Sequence, residues 1–314
     1  MRIAITGSSG LIGSALTRHL RSEGHEVVRL VRRAPRAADE VEWHPRSSGG
    51  AGGNGGAGGD DSGTGDAPGG LGNLDAAVNL AGAPIAGGRW TDARKHEILA
   101  SRVASTKTLA TMLASLQPRP AVLLSGSGIN WYGDTGDHAV DESGPAGSGF
   151  LAHVTREWEA STAAAQEAGI RVVRMRTGIV LSKDGGMLGT LRPLFRIGLG
   201  ARLGAGTQFM SWITLADLVE AMSFMLAEPG LAGPVNLTAP NPVTNAEFTT
   251  ALARALGRRA LLRVPSRVLD LALGEAAGEL LVNSRVLPTR LLEAGYVFKH
   301  PDLESALAAE LRAH

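Results

Sequence analysis

Apolar residues open the chain in a short run, Arg2–Thr6, that ends in glycine, the pattern of a strand buried on both faces. From Leu11 the apolar positions Leu11, Ile12, Ala15, Leu16 and Leu20 fall at helical spacing, and Gly24 stops the helix. Glu26–Val31 is a second β-rich run, and Val41–Trp43 a short third one. Further on, the pattern predicts a strand over Asp75–Leu80, a helix through about Asp92–Leu116 and a strand over Ala121–Ser125. A helix over Leu151–Ala168 follows, then a strand from Arg171–Val173 running on to Leu181. Strands alternating with helices at this spacing predict a doubly wound α/β fold with a parallel sheet. Beyond Leu181 the pattern loosens into glycine-rich connections, with helices around Asp217–Leu226, Asn245–Leu256 and Ser266–Leu281. Proline-marked turns at Pro234, Pro240, Pro242 and Pro265 give this part the look of a smaller, mixed region.

One stretch has no pattern at all. Between Gly49 and Gly72, 13 of 24 residues are glycine, and the others are mostly Ala, Asp, Ser and Asn. Ordering such a segment costs much backbone entropy and buries almost nothing apolar, so residues 49–72 read as a disordered surface insertion. Composition sets wider bounds. The chain is 44% hydrophobic with a formal net charge of +1, which supports a core and gives no electrostatic case for nucleic acid or an anionic membrane. Cysteine is absent, which excludes disulfides and thiolate metal sites and fits a cytoplasmic setting. The N-terminal MRIAITG enters a strand at once, leaving no room for a signal peptide, and no run of 18 apolar residues is present. No His/Asp/Glu set has metal-ligand spacing and no G-x-S-x-G elbow occurs.

The chemistry begins at the first strand-to-helix turn. Gly7-Ser8-Ser9-Gly10-Leu11-Ile12-Gly13 is G-x-x-G-x-x-G between strand and helix. Gly7 permits the tight turn, Gly10 lets the backbone approach a pyrophosphate, and Gly13 lets helix and strand pack closely. The free N–H groups of the helix N-terminus then favour the phosphates, placing Ser9, Leu11 and Ile12 in the binding turn. A dinucleotide site of the Rossmann type is the expectation. At the end of the second strand stand Arg32 and Arg33, where an NAD site places a carboxylate for the ribose 2′-OH. Either they are solvated loop charges, or a guanidinium grips a 2′-phosphate and the cofactor is NADP.

Asn79-Leu80-Ala81-Gly82 resembles the N-x-A-G segment that lines the cofactor in short-chain dehydrogenases/reductases. Ser125-Gly126-Ser127, with Trp131-Tyr132-Gly133-Asp134 after it, resembles the serine-rich strand end and Y-G turn of the extended members. Lys95–Arg102, Phe150–Glu159, Arg176–Leu181, Gly206–Val219, Pro234–Phe248 and Arg285–Tyr296 together resemble the atypical extended group known as epimerase family proteins. That resemblance covers all of the chain except the glycine-rich insertion. It implies a seven-stranded Rossmann sheet with NADP in the cleft, residues 1–184 as the cofactor domain and 185–314 as a substrate region. It also implies Leu80, Ala81, Gly82 and Ser125 beside the cofactor, with Glu97 and Arg102 on the neighbouring helix. The alternative for Glu97 and Arg102 is an ordinary ion pair on the helix surface. Homodimers are common in the group, and a small-molecule substrate is the expected partner.

Catalysis is where the chain departs from the wider pattern. Short-chain dehydrogenases use Tyr-x-x-x-Lys one helical turn apart, the lysine lowering the tyrosine pKa for proton exchange during hydride transfer. Counting back from Glu159 puts Leu151 at the tyrosine position and Thr155 at the lysine position. The two tyrosines of the chain, Tyr132 and Tyr296, are followed four residues later by Gly136 and His300, so the relay is missing. Ser127 matches the group's substrate-polarising serine, given a one-residue insertion before Tyr132. These two hydroxyls are the catalytic candidates. His138 and His153 fall near the same cleft, and Arg176 and Trp212 are expected to border a substrate pocket. Two functions follow from these residues: an NADP-dependent oxidoreductase or epimerase acting on a small molecule, such as a nucleotide sugar, or a non-catalytic NADP(H) sensor or scaffold.

Overall fold

A computed structural model describes residues 1–45, 71–85 and 89–312. Its centre is a sheet of strands β1 (Arg2–Thr6), β2 (Glu26–Val31), β3 (Glu40–Glu42), β4 (Ala76–Asn79), β5 (Val122–Gly128), β6 (Arg171–Thr177) and β7 (Gly233–Leu237). All seven are parallel, in the order β7-β6-β5-β4-β1-β2-β3. Crossovers after β1 and β4 run in opposite directions from the β1–β4 pair, which makes their carboxyl ends the switch point of a doubly wound sheet.

Alternate strand residues face opposite layers. Ile3, Ile5, Val78, Leu124 and Met175 pack with helices α1 (Leu11–Ser22) and, further along the chain, Leu215–Ala227. Ala4, Val28, Ala77, Leu123 and Val172 pack with helix α2 (Asp92–Ser115) on the other face. Period-two burial on both faces explains why these strands read as continuous apolar runs. β5 extends through Gly126 and Gly128, beyond the expected end at Ser125, because β6 continues the pairing on that side. The expected helix Leu151–Ala168 is divided into α3 (Phe150–Ala160) and a short helix Ala163–Glu167. At the break, the Ser161 and Thr162 hydroxyls donate back to the carbonyls of Glu157 and Glu159, an alternative to the next helical turn.

Three expectations are corrected here. The sheet domain does not end at residue 184: β7 is an edge strand of the same sheet, and helix Leu215–Ala227 covers its α1 side. Of the glycine-rich stretch, 49–70 lie outside the described residues, but Leu71 is buried in the α2-side core and so belongs to the domain. Trp212 borders no cleft; it is fully buried in a third core with Phe248, Leu252 and Leu307. Among the described residues no helix is long and apolar enough to cross a membrane.

Candidate active site

The glycine turn sits at the switch point. Gly7 has φ +66°, and a Cβ there would fall 2.5 Å from the Leu80 carbonyl oxygen, so the turn abuts the chain leaving β4. A Cβ on Gly13 would fall 2.2 Å from the Gly7 carbonyl oxygen, which only glycine avoids. Gly10 differs. Its Cβ would meet only Gly7 O, at 3.4 Å, so protein packing alone does not demand glycine there. Gly10 is the N-cap of α1, no described side chain caps it, and the first turn holds no acid. The N–H groups opening α1 at Leu11 and Ile12 are therefore free for an anion, with exposed Ser9 beside them.

The two arginines after β2 have different fates. Arg33 donates from both terminal nitrogens to Glu40, at 2.8 Å each, and Arg29 also reaches Glu40 at 3.2 Å. The Arg33 guanidinium holds the Glu40 carboxyl down at about 2. Asp39 is held low in the same way, by Arg29 first and then by Arg21. Arg32 is exposed and makes no hydrogen bond or ion pair with the described residues. The acids that could repel a phosphate here are neutralised, and one guanidinium remains available.

Across the switch point, Asn79 is locked by accepting from Thr6 Oγ1 at 2.6 Å and donating to Thr106 Oγ1 at 2.7 Å. It holds Leu80, Ala81 and Gly82 against the glycine turn, the Ala81 N–H donating to Asn79 Oδ1 at 3.3 Å. Arg102 of α2 lies under Gly82, where a Cβ would come 3.2 Å from its side chain. Arg102 is buried, donates to the carbonyls of Ala83 and Ile98, and stacks 5.0 Å from the Trp158 ring. Among the described residues its Nε has no partner and no carboxylate pairs with it. Burial, with the nearby Arg94 charge adding to it, pushes the guanidinium down to about 10. Glu97 is not its partner. Glu97 is exposed and pairs with Arg94 at 2.6 Å, because residues three apart share a helix face. The Ser125 hydroxyl is fully buried within the sheet, three residues before the end of β5.

At the end of β5 the structure assembles a buried network. Ser127 Oγ donates to Glu159 Oε1 at 2.7 Å. Arg176 grips Glu159 side-on, Nε to Oε1 at 2.8 Å and Nη2 to Oε2 at 3.1 Å. Nη1 of Arg176 donates to Tyr132 Oη at 3.0 Å, and that hydroxyl donates to Asn236 Oδ1 at 2.8 Å. The Trp131 ring covers the guanidinium at 4.0 Å. Burial alone would lower Arg176, but the Glu159 contacts outweigh it and hold the charge. Burial pushes Tyr132 above the usual phenol range, so its hydroxyl stays protonated and serves the network. His138 and His153 are exposed and stand outside it.

The family model for NAD dependent epimerase/dehydratase family matches residues 3–237, and a domain of unknown function (DUF1731) matches 264–310. The chain belongs to the NAD dependent epimerase/dehydratase family. It is 48% identical over 306 residues to epimerase family protein Mb2239 of Mycobacterium bovis, covering 97% of this chain and 96% of that one. Among solved structures it is similar to human epimerase family protein SDR39U1 (isoform 2) with NADPH, at a TM-score of 0.87 and 31% identity over 100% of both chains. A Corynebacterium glutamicum nucleoside-diphosphate sugar epimerase superposes at a TM-score of 0.77 with 34% identity, over 99% of this chain and 58% of that one.

For a member of the epimerase/dehydratase family, the first turns of α3 are unusual. Leu151 and Thr155 are both buried, and Thr155 Oγ1 donates to the carbonyls of Leu151 and Ala152 at 3.0 and 2.9 Å. Neither offers an ionisable group. Glu159 lies one turn further on the same face, at spacing 151, 155, 159, and could have been singled out on that periodicity. Asn236 and Glu142 were not legible: the first is a buried polar residue in an apolar strand, the second one of an acidic pair. Glu142 accepts from the Asn236 N–H at 2.9 Å, and burial pushes its carboxyl above the usual range.

Proposed function

We propose that this chain binds NADP(H) along the carboxyl edge of the sheet and acts as an oxidoreductase or epimerase-like enzyme on a small molecule. Nucleotide sugars are the first substrate class to test, and a cytoplasmic homodimer is the expected form. The observation that carries the cofactor choice is the split between Arg33, committed to Glu40, and Arg32, left free at the end of β2. A free guanidinium beside neutralised acids suits a ribose 2′-phosphate. The fit extends along the crevice. The uncapped N-terminus of α1 suits the pyrophosphate, with Ser9, Gly10, Leu11 and Ile12 at the contact. Arg102, a buried cation that pairs with no carboxylate among the described residues, supplies positive charge beneath Gly82, next to Leu80 and Ala81. The NADPH in the human SDR39U1 structure supports the same reading.

When bound, the cofactor would supply hydride chemistry at the nicotinamide, and the protein would supply position and a proton. A second reading, a non-catalytic NADP(H) sensor, is favoured by one observation: Leu151 and Thr155 cannot exchange a proton near pH 7. Titrating NADPH and NADH by fluorescence, then following NADPH absorbance across a panel of carbonyls and nucleotide sugars, separates these. Tight NADPH binding with turnover of a panel member supports the enzyme. Tight binding with no turnover supports the sensor, and equal affinity for NADH overturns the cofactor assignment.

A further inference from the structure

The first turn of α3 leaves N–H groups without helical acceptors. One of them, on Leu151, donates to Glu279 Oε1 at 3.4 Å. A Cβ on Gly149, the residue before α3, would lie 3.8 Å from the same oxygen. The Asn130 side chain lies near enough to the same carboxyl to hold it down slightly. Asn130 comes two residues after β5, the strand that carries Ser127. Glu279 therefore sits at the start of the relay helix, close to the loop that follows the serine strand, although it belongs to a short helix, Ala276–Leu280, of the C-terminal region.

That region is clamped in place. Glu275 forms an ion pair with Lys95 of α2, and the Arg89 guanidinium lies against Gly274. Lys95 Nζ stands 5.4 Å from the Phe150 ring, which meets Trp90 edge-on at 5.3 Å. A dinucleotide whose pyrophosphate sits on the β1 turn extends its second half over the carboxyl ends of β4 and β5. Glu279 is half-buried beside the start of α3.

We propose that Glu279 is the proton-transfer group of this site, in place of the tyrosine that the relay helix lacks. The proposal rests on the reading of the chain as an NADP(H)-dependent enzyme. In carbonyl reduction, hydride goes to the carbonyl carbon and the π pair to oxygen. That oxygen takes the proton of the Glu279 carboxyl, and the resulting carboxylate is reprotonated from solvent. Burial raises this carboxyl above its ordinary range and Glu275 adds to the rise, while the Leu151 N–H and Asn130 oppose it. The charged group that acts on it is Glu275, which is itself paired with Lys95, and Arg89 lies nearby against Gly274.

The test uses full-length protein whose glutamates carry carbon-13 at the side-chain carboxyl, with the Glu279 signal assigned by its loss in Glu279→Gln. Its titration midpoint is measured with NADP⁺ and with NADPH bound. A lower midpoint with NADP⁺ is expected, because the oxidised ring is positive and favours a nearby carboxylate. Equal midpoints in the two forms overturn the proposal. Failure of wild-type protein to bind NADPH would instead overturn the cofactor reading. Glu279→Gln should bind NADPH as wild type does; a clear loss would make Glu279 a cofactor ligand and overturn its assigned role. With any carbonyl substrate found, Glu279→Gln should lose about 10²–10⁴-fold in kcat together with one limb of the pH profile, and Glu279→Asp should recover part of both. Unchanged turnover in Glu279→Gln overturns the proposal, and the cofactor-dependent titration decides it where no substrate is found.

Discussion

Arg176 and Glu159 form a side-on pair, Nε to Oε1 at 2.8 Å, with both side chains buried. They come from different elements, β6 and α3, and their contact ties the relay helix to the sheet. Ser127 and Tyr132 both hang from this pair, which makes it the structural centre of the polar network.

Removing either partner leaves the other charge buried. Arg176→Ala and Glu159→Ala should each cost about 3–5 kcal/mol of stability, read by urea denaturation. The double variant should cost clearly less than the sum of the two, because no uncompensated charge remains. Additive losses would show that the two side chains act independently.

Cofactor choice should follow the split between the neighbouring arginines. Wild type should prefer NADP(H) over NAD(H) by at least about tenfold, as a charge-assisted contact contributes roughly 1.5–3 kcal/mol. Arg32→Ala should erase most of that preference. Arg33→Ala should leave more of it, since that side chain is committed to Glu40. The reverse ranking in paired fluorescence titrations would reassign the contact.

Leu71 should separate the glycine-rich segment from the core. Leu71→Ala removes a buried side chain of the α2-side core and should cost about 2–5 kcal/mol. Replacing residues 49–70 with a short Gly-Ser linker should lower the melting temperature far less, since loop closure depends only logarithmically on length. A larger effect from the linker than from Leu71→Ala would contradict this.

Glu142 gives a pH signature. Its folded-state carboxyl is raised, chiefly by burial, so the native state holds the proton more tightly than the unfolded chain does. Stability is therefore lost as pH rises from the unfolded value of about 4.3 through the folded one. Glu142→Gln, which cannot ionise, should gain in melting temperature relative to wild type between about pH 4 and pH 7. A difference that shrinks over that range would mean the carboxylate is stabilised in the fold.

Much of this protein is written locally. The period of apolar residues marked the parallel strands and their helices, because a strand buried on both faces must be apolar throughout and a covering helix must carry a stripe. The glycine turn was legible for a similar reason: Gly7 and Gly13 answer to clashes with backbone a few residues away or one strand over. The missing Tyr and Lys could also be counted along a single helix, at Leu151 and Thr155. Other features depend on segments far apart in the chain. Arg32 and Arg33 are equivalent as neighbours, and only the return of the chain to Glu40 commits one and frees the other. Arg102 and Glu97 look like an ion pair on paper, yet helix geometry sends Glu97 to Arg94 and packing buries Arg102 under Gly82. Glu159, Arg176, Tyr132 and Asn236 meet because α3, β6, the end of β5 and β7 converge. Burial there makes each polar group require a partner, and tertiary packing alone decides which partner it finds.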